Sequence, residues 1–169
     1  SWKFEAGKIK YETWDGVGTG AVSSLTGNPK FPNEPSFTEF RAAFEAPTGR
    51  AENFGGRLSA WIVPPSTGDY VFFIPADDNA ELWLSTDDNP ANVKRIAAEA
   101  GWSGERVWLN TGDGTDNGGG TPDSKRSDLY TGSQWSPVNK ITLTANRRYY
   151  TELLYSEGGG GDNAAMTWK

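Results

Sequence analysis

The chain has 169 residues, a formal net charge of −6, and neither cysteine nor histidine. Lacking both, it can build no disulfide, thiol nucleophile, Ser–His–Asp relay or ordinary zinc site. Any metal must be held by oxygen, which points to hard cations such as Ca²⁺ or Mg²⁺. The acidic balance, with a pI near 4.7, disfavours a nucleic-acid partner.

Length fits a single domain, 1–169, rich in turn formers (21 Gly, 10 Pro) and in aromatic residues (13%). In chain order, Ser1-Trp2-Lys3 is no signal peptide, and the plain ends suggest a module of a larger multidomain protein. No stretch is apolar enough to insert into a membrane. Gly16-Val17-Gly18-Thr19-Gly20-Ala21 fits the loose dinucleotide pattern, but no strand–helix–strand unit surrounds it. Thr38–Ala46, with Phe40 and Phe44 four apart, reads as a short helix or a strand. Leu58, Ala60 and Ile62 share one face of a strand over Arg57–Val63. Tyr70, Phe72 and Ile74 do so over Asp69–Ala76, and Leu82 and Leu84 over Ala80–Thr86.

Asp87-Asp88-Asn89-Pro90 is a turn signal. Val93–Ala100 carries helix formers but is short enough for a strand. Residues 110–137 form a long polar insertion without periodicity, which reads as a functional or mobile loop. Within it, Asp113-Gly114-Thr115-Asp116-Asn117 lacks EF-hand spacing, since the twelfth position is Ser124. Lys140–Thr144 and Arg147–Glu157 are strands, the latter with Tyr149, Thr151, Leu153 and Tyr155 on one side. Ala164, Met166 and Trp168 line a last strand. The expected fold is all-β, an antiparallel two-sheet β-sandwich.

Two loops could carry chemistry. Asp77-Asp78-Asn79 joins two strands with adjacent carboxylates, which repel unless a cation joins them. Since successive strand side chains point oppositely, aiming both at one ion requires a sharp bend or an isomerised peptide. A solvated turn is the other reading of the same residues. Glu157-Gly158-Gly159-Gly160-Gly161-Asp162-Asn163 could turn carbonyls and the Asp162 carboxylate toward Ca²⁺, or be a plain flexible hairpin loop. Trp102, Trp108 and Trp135 lie in or beside loops and are candidates for stacking on a sugar face as well as for the core. No pair of carboxylates stands out at glycosidase spacing, and no enzyme active within this chain is expected.

The runs Asn53-Phe54-Gly55-Gly56-Arg57-Leu58, Pro64–Phe72, Asp77–Thr86 and Arg148–Asn163 resemble the protective-antigen PA-fourteen domain over roughly residues 10–169. The resemblance implies a β-sandwich found in toxins, glycosidases and adhesins. It further implies a cis Asp77–Asp78 peptide and a Ca²⁺ site built from Asp77, Asp78, Asp162 and a carbonyl such as that of Gly160. Sugar hydroxyls would complete the ion's shell, with Asp77, Asp78, Asn79, Asp162 and Trp135 as the sugar-contacting set. The expected function is therefore a calcium-dependent, lectin-like module of a secreted or cell-surface protein such as an adhesin. Its partner would be a hexose with vicinal hydroxyls on a mono- or oligosaccharide, and the module would be monomeric. Alternatives are a structural or protein-binding spacer in which calcium serves folding only, and an accessory domain of a glycosidase.

Overall fold

The computed structural model describes residues 7–17 and 20–169; Ser1-Trp2-Lys3, and the Gly18 and Thr19 of the glycine-rich pattern, lie outside them. The strands are β1 (Ile9–Asp15), β2 (Phe37–Arg41), β3 (Phe54–Ile62), β4 (Gly68–Tyr70), β5 (Phe72–Phe73), β6 (Ala76–Asp77), β7 (Asn79–Ser85), β8 (Val93–Glu99), β9 (Ile141–Leu143), β10 (Tyr149–Glu157), β11 (Asn163–Ala164) and β12 (Thr167–Trp168), with one short helix, α1 (Val22–Thr26). Six of them form an antiparallel sheet in the order β2-β1-β3-β10-β7-β8, and the remaining pairs are β11-β6, β12-β5 and β4-β9. The three small pairs make the second layer. Leu58, Leu82, Leu84, Leu153 and Tyr155 of the large sheet share one core with Phe72, Ile141 and Leu143 of the small ones and with Ile74 and Met166 of the links between their strands. The expected sandwich is thus the fold, with the second layer broken into short pairs.

Of the two segments left open between helix and strand, the second pairs as a strand and the first does so only up to Arg41. Residues 37–41 align against β1, and 93–99 against β7 with a register shift at Leu82/Trp83. For 93–99, the alanines and Glu99 are good helix formers, but eight residues barely sustain a helix, whereas the open edge of β7 offers a full ladder. Strand β10 sits at the centre, between β3 and β7. Gly56 makes room for it: a Cβ there would lie 2.1 Å from Cε1 of Tyr155. The tyrosine's hydroxyl in turn meets that of Tyr11 at 2.8 Å inside the core.

The insertion is tied down along its length. Gln134 bonds both ways with Arg95 on the outer edge of β8. Residues 125–127 line the second layer, where Ile74 N donates to Lys125 O at 3.0 Å and Ser127 N to Phe72 O at 3.0 Å. One segment thereby covers the open edges of both layers, where unpaired N–H and C=O groups would otherwise be exposed. The long loop expected at 110–137 is thus hydrogen-bonded to both layers and carries a short 3-10 turn at Pro122–Lys125. Lys125 is fully buried, and its ammonium donates to Ser103 Oγ (2.6 Å), Val107 O (2.7 Å) and Asn110 O, with Glu99 Oε2 at 3.5 Å.

Candidate functional site: a buried acidic pocket

The two acid-bearing loops leave from neighbouring strands and are therefore fixed against each other. Asn79, the first residue of β7, lies opposite Ser156 of β10, and Asp77 of β6 lies opposite Asn163 of β11. The links 77–79 and 157–163 are stitched together at both ends. The Asp77–Asp78 peptide is cis. One carboxylate oxygen each from Asp77, Asp78 and Glu157 lie within 4.8 Å of one another.

Glu157 is the member of this group that the sequence reading did not single out as a ligand. The core-facing row Tyr149, Thr151, Leu153, Tyr155 continues in phase to residue 157, so an acid is placed where the pattern demands an apolar residue. It is fully buried, and neither carboxylate oxygen has a hydrogen-bond partner in the described structure. A buried unpaired carboxylate is costly. Burial first, then the neighbouring Asp78 and Asp77 charges, push its pKa up to about 8. Burial and the Asp78 charge likewise raise Asp77 to about 6. Three carboxyls in one pocket, one of them wholly without a donor, match the demands of a hard divalent cation with oxygen ligands.

Asp162 is placed close by but is engaged differently. Its carboxylate accepts from Gly49 N and, at 2.7 Å, from Arg50 N, so both oxygens clamp the 48–50 segment across the pocket. Asp78 Oδ2 accepts from Gly158 N at 3.0 Å, and Glu52 Oε2 from Gly160 N at 2.9 Å. Gly160 has φ +113°, open to glycine, and a Cβ on Gly161 would approach Asp77 Oδ2 to 3.0 Å. The glycine run therefore lets the loop close down on the acids.

Beside Asp77 opens a cavity of 280 Å³, lined by that residue together with residues 48–49, 104–105 and 160–163. Its far wall belongs to the segment that leads into the insertion. Ser103 holds this wall to both loops: its N–H donates to Ala76 O at 2.6 Å, and its carbonyl accepts from Asn163 Nδ2 at 2.9 Å. Its hydroxyl donates to Glu99 Oε2 at 2.5 Å and accepts from the Lys125 ammonium.

Two of the residues expected to contact sugar do not line this cavity. Trp135 is 8% exposed and packs in the main core, because residues 133–135 follow the edge of β8 inward. Asn79 lines a separate cavity of 220 Å³ with residues 21–23 and 98–100. Neither Trp102 nor Trp108 lines the cavity at Asp77. The remaining acidic motifs are turns. Asp87 caps Asn89 N and Asn92 Nδ2 at 2.9 and 2.8 Å. Asp113 accepts from Thr115, and Asp116 from Thr111 N. Hydrogen bonds hold both Asp87 and Asp113 below the usual carboxylate range.

A two-layer β-sandwich with an acidic pocket at the loop end is the class of protein these features define. The chain belongs to the PA14 domain family, whose model matches residues 19–169. It is 34% identical over 160 residues to mouse N-acetyl-beta-glucosaminyl-glycoprotein 4-beta-N-acetylgalactosaminyltransferase 1; the match takes in 94% of this chain but spans only 13% of that protein. The fold is shared with the A domain of epithelial adhesin 9 from Candida glabrata, solved in complex with Galb1-4GlcNAc. There the TM-score is 0.56 at 13% identity, over 96% of this chain and 81% of that one. It is shared as well with the beta-glucosidase of Kluyveromyces marxianus in complex with glucose, with a TM-score of 0.52 at 14% identity, over 94% of this chain and 15% of that one. Among the described residues no helix is long and apolar enough to cross a membrane.

Proposed function

We propose that this domain is a non-catalytic, calcium-dependent carbohydrate-binding module of a secreted or cell-surface protein. The observation that carries the reading is Glu157, a buried carboxylate without a partner whose oxygen lies within 4.8 Å of oxygens from Asp77 and Asp78. These three acids are the proposed ligands, joined by carbonyls of the 158–161 turn, Gly160's among them. Bound there, Ca²⁺ would supply open oxygen-coordination positions that two vicinal sugar hydroxyls can fill. Asp162 is assigned the holding of the 48–50 segment against the ligand loop. The sugar would lie in the cavity beside Asp77, against residues 48–49 and 104–105, and Trp135 and Asn79 take no part. The adhesin complex with Galb1-4GlcNAc and the beta-glucosidase complex with glucose make a glycan ligand the natural expectation for this fold. Affinity per site should be weak, because two hydroxyls merely replace two waters.

The test is titration calorimetry of the chelator-stripped protein with Ca²⁺, followed by a glycan array with Ca²⁺, with chelator, and with Asp78→Ala. Ca²⁺ uptake, with sugar binding that vanishes in the latter two conditions, is expected. Glycan binding indifferent to all three would sink the reading. The relation to a 4-beta-N-acetylgalactosaminyltransferase favours one second reading, an accessory module inside a carbohydrate-active enzyme. That reading requires the same sugar site and differs only in what lies beyond this chain.

A further inference from the structure

The cavity beside Asp77 is built to take hydrogen-bond donors. Asp77, Glu105 and Asp162 are the acids that line it, and among the described residues no lysine or arginine does. Asn163, 8% exposed, spends its amide nitrogen on Ser103 O, and its Oδ1 is buried without a partner. Three of the lining backbone N–H groups are already engaged: Gly49 N by Asp162, Gly160 N by Glu52, and Gly104 N by Gly112 O at 2.8 Å. The arginines adjoining the lining segments are turned to acids as well, Arg50 to Asp15 at 2.9 Å and Arg106 to Glu45 at 2.8 Å.

Charge leads to the same result. A divalent ion offsets two of the three charges on Asp77, Asp78 and Glu157, and Asp162 and Glu105 remain. The wall carrying Glu105 is held in place, because Ser103, two residues before it, is bonded to Ala76, Asn163, Glu99 and Lys125.

We infer that the cleft selects neutral sugars, whose hydroxyls donate to the Asp77 and Glu105 carboxylates, and rejects sugars bearing a carboxylate or sulfate, with Glu105, on the segment leading into the insertion, as a specificity-determining residue. The inference rests on the sugar-binding reading above and narrows it to a ligand class. A cavity of 280 Å³ sits at the small end of ligand sites, about 300–1,000 Å³. One neutral terminal ring is therefore the unit recognised.

The experiment uses saturating Ca²⁺ and matched pairs: methyl glycosides of galactose, glucose and mannose, each beside its uronic acid. Binding is read by ligand-observed NMR at low and at physiological salt. Each uronic acid should bind at least about tenfold more weakly than its neutral partner at low salt, and the gap should shrink as salt screens it. Glu105→Lys, at an exposed position, should narrow the neutral-to-acidic ratio, and Glu105→Gln should narrow it less. Equal or tighter binding of the uronic acids, or a ratio untouched by Glu105→Lys, would overturn the inference while leaving calcium-dependent binding intact. Ca²⁺ uptake with no sugar bound, neutral or acidic, would overturn the carbohydrate reading and this inference with it.

Discussion

At the scale of single residues the pocket turns on Glu157. Its pKa of about 8 stands well above the ordinary glutamate value, so between those values the folded, metal-free protein holds a proton that the unfolded chain has released. Metal-free stability must then fall as pH rises from about 4.5 toward 8, and level off above it. Asp77, raised to about 6, adds in the same direction at lower pH. The proposed calcium binding would run the opposite way, since the ion requires the deprotonated acids: its apparent affinity should weaken below about pH 8 and again below about pH 6. Thermal melts of chelated protein from pH 5 to 9, with calorimetry over the same range, would read both trends. Glu157→Gln removes the buried charge and should leave the metal-free melting temperature at pH 8 unchanged or higher. The same substitution should abolish the rise in melting temperature expected when Ca²⁺ is added to the unsubstituted protein. A loss of metal-free stability in that variant would show that Glu157 has an unseen partner.

Adjacent acids at 77 and 78 were visible in the sequence because nothing about a strand–strand link asks for two of them. Glu157 was readable in principle, two residues beyond Tyr155 in the same inward row, but a glutamate before four glycines also looks like the start of a loop. Asp162 could be read as a carboxylate facing the site, yet its partners, the amides of residues 49 and 50, lie over a hundred positions away. Trp135 shows the converse. It sits in a polar stretch with no periodicity, and only the path of the insertion reveals that its ring is needed to fill the core.

At the scale of elements, two ties hold the loops that make the pocket. Asp162 bonds two backbone amides in a nearly buried setting, and charge-assisted bonds of this kind contribute about 1.5–3 kcal/mol each. Asp162→Asn should therefore lower stability by about 2 kcal/mol while calcium uptake persists, a combination that chemical denaturation and calorimetry together would reveal. If uptake vanished with stability retained, Asp162 would be an ion ligand after all. The second tie is the Lys125–Glu99 pair. Lys125→Met leaves Glu99 buried with its countercharge removed, which costs on the order of 3–5 kcal/mol, and should loosen the insertion first. The strands at 57–62, 80–85 and 149–157 were legible from their alternation. The insertion was not, because a lysine in a polar segment gives no sign that it will be buried among carbonyls contributed by residues 107 and 110.

At the scale of the molecule, an ion in the pocket would stabilise the fold. An ion that binds only the folded chain adds stability by mass action, about 2.7 kcal/mol at a hundredfold excess over its dissociation constant. A spacer would show this rise with Ca²⁺ alone, whereas a lectin should show a further rise when the right sugar is added. Weak single sites gain strength when repeated on one surface, by as much as about 10²–10⁴, so tandem or immobilised copies should outbind the lone domain on a glycan-coated chip.

Lys125 also gives the molecule an internal clock. Its amine is sealed within the folded state, so an acylating reagent can modify it only during transient opening. Its labelling rate, compared by mass spectrometry with that of the exposed Lys8, would time how often the insertion lifts away. Calcium should slow that clock without touching the lysine itself.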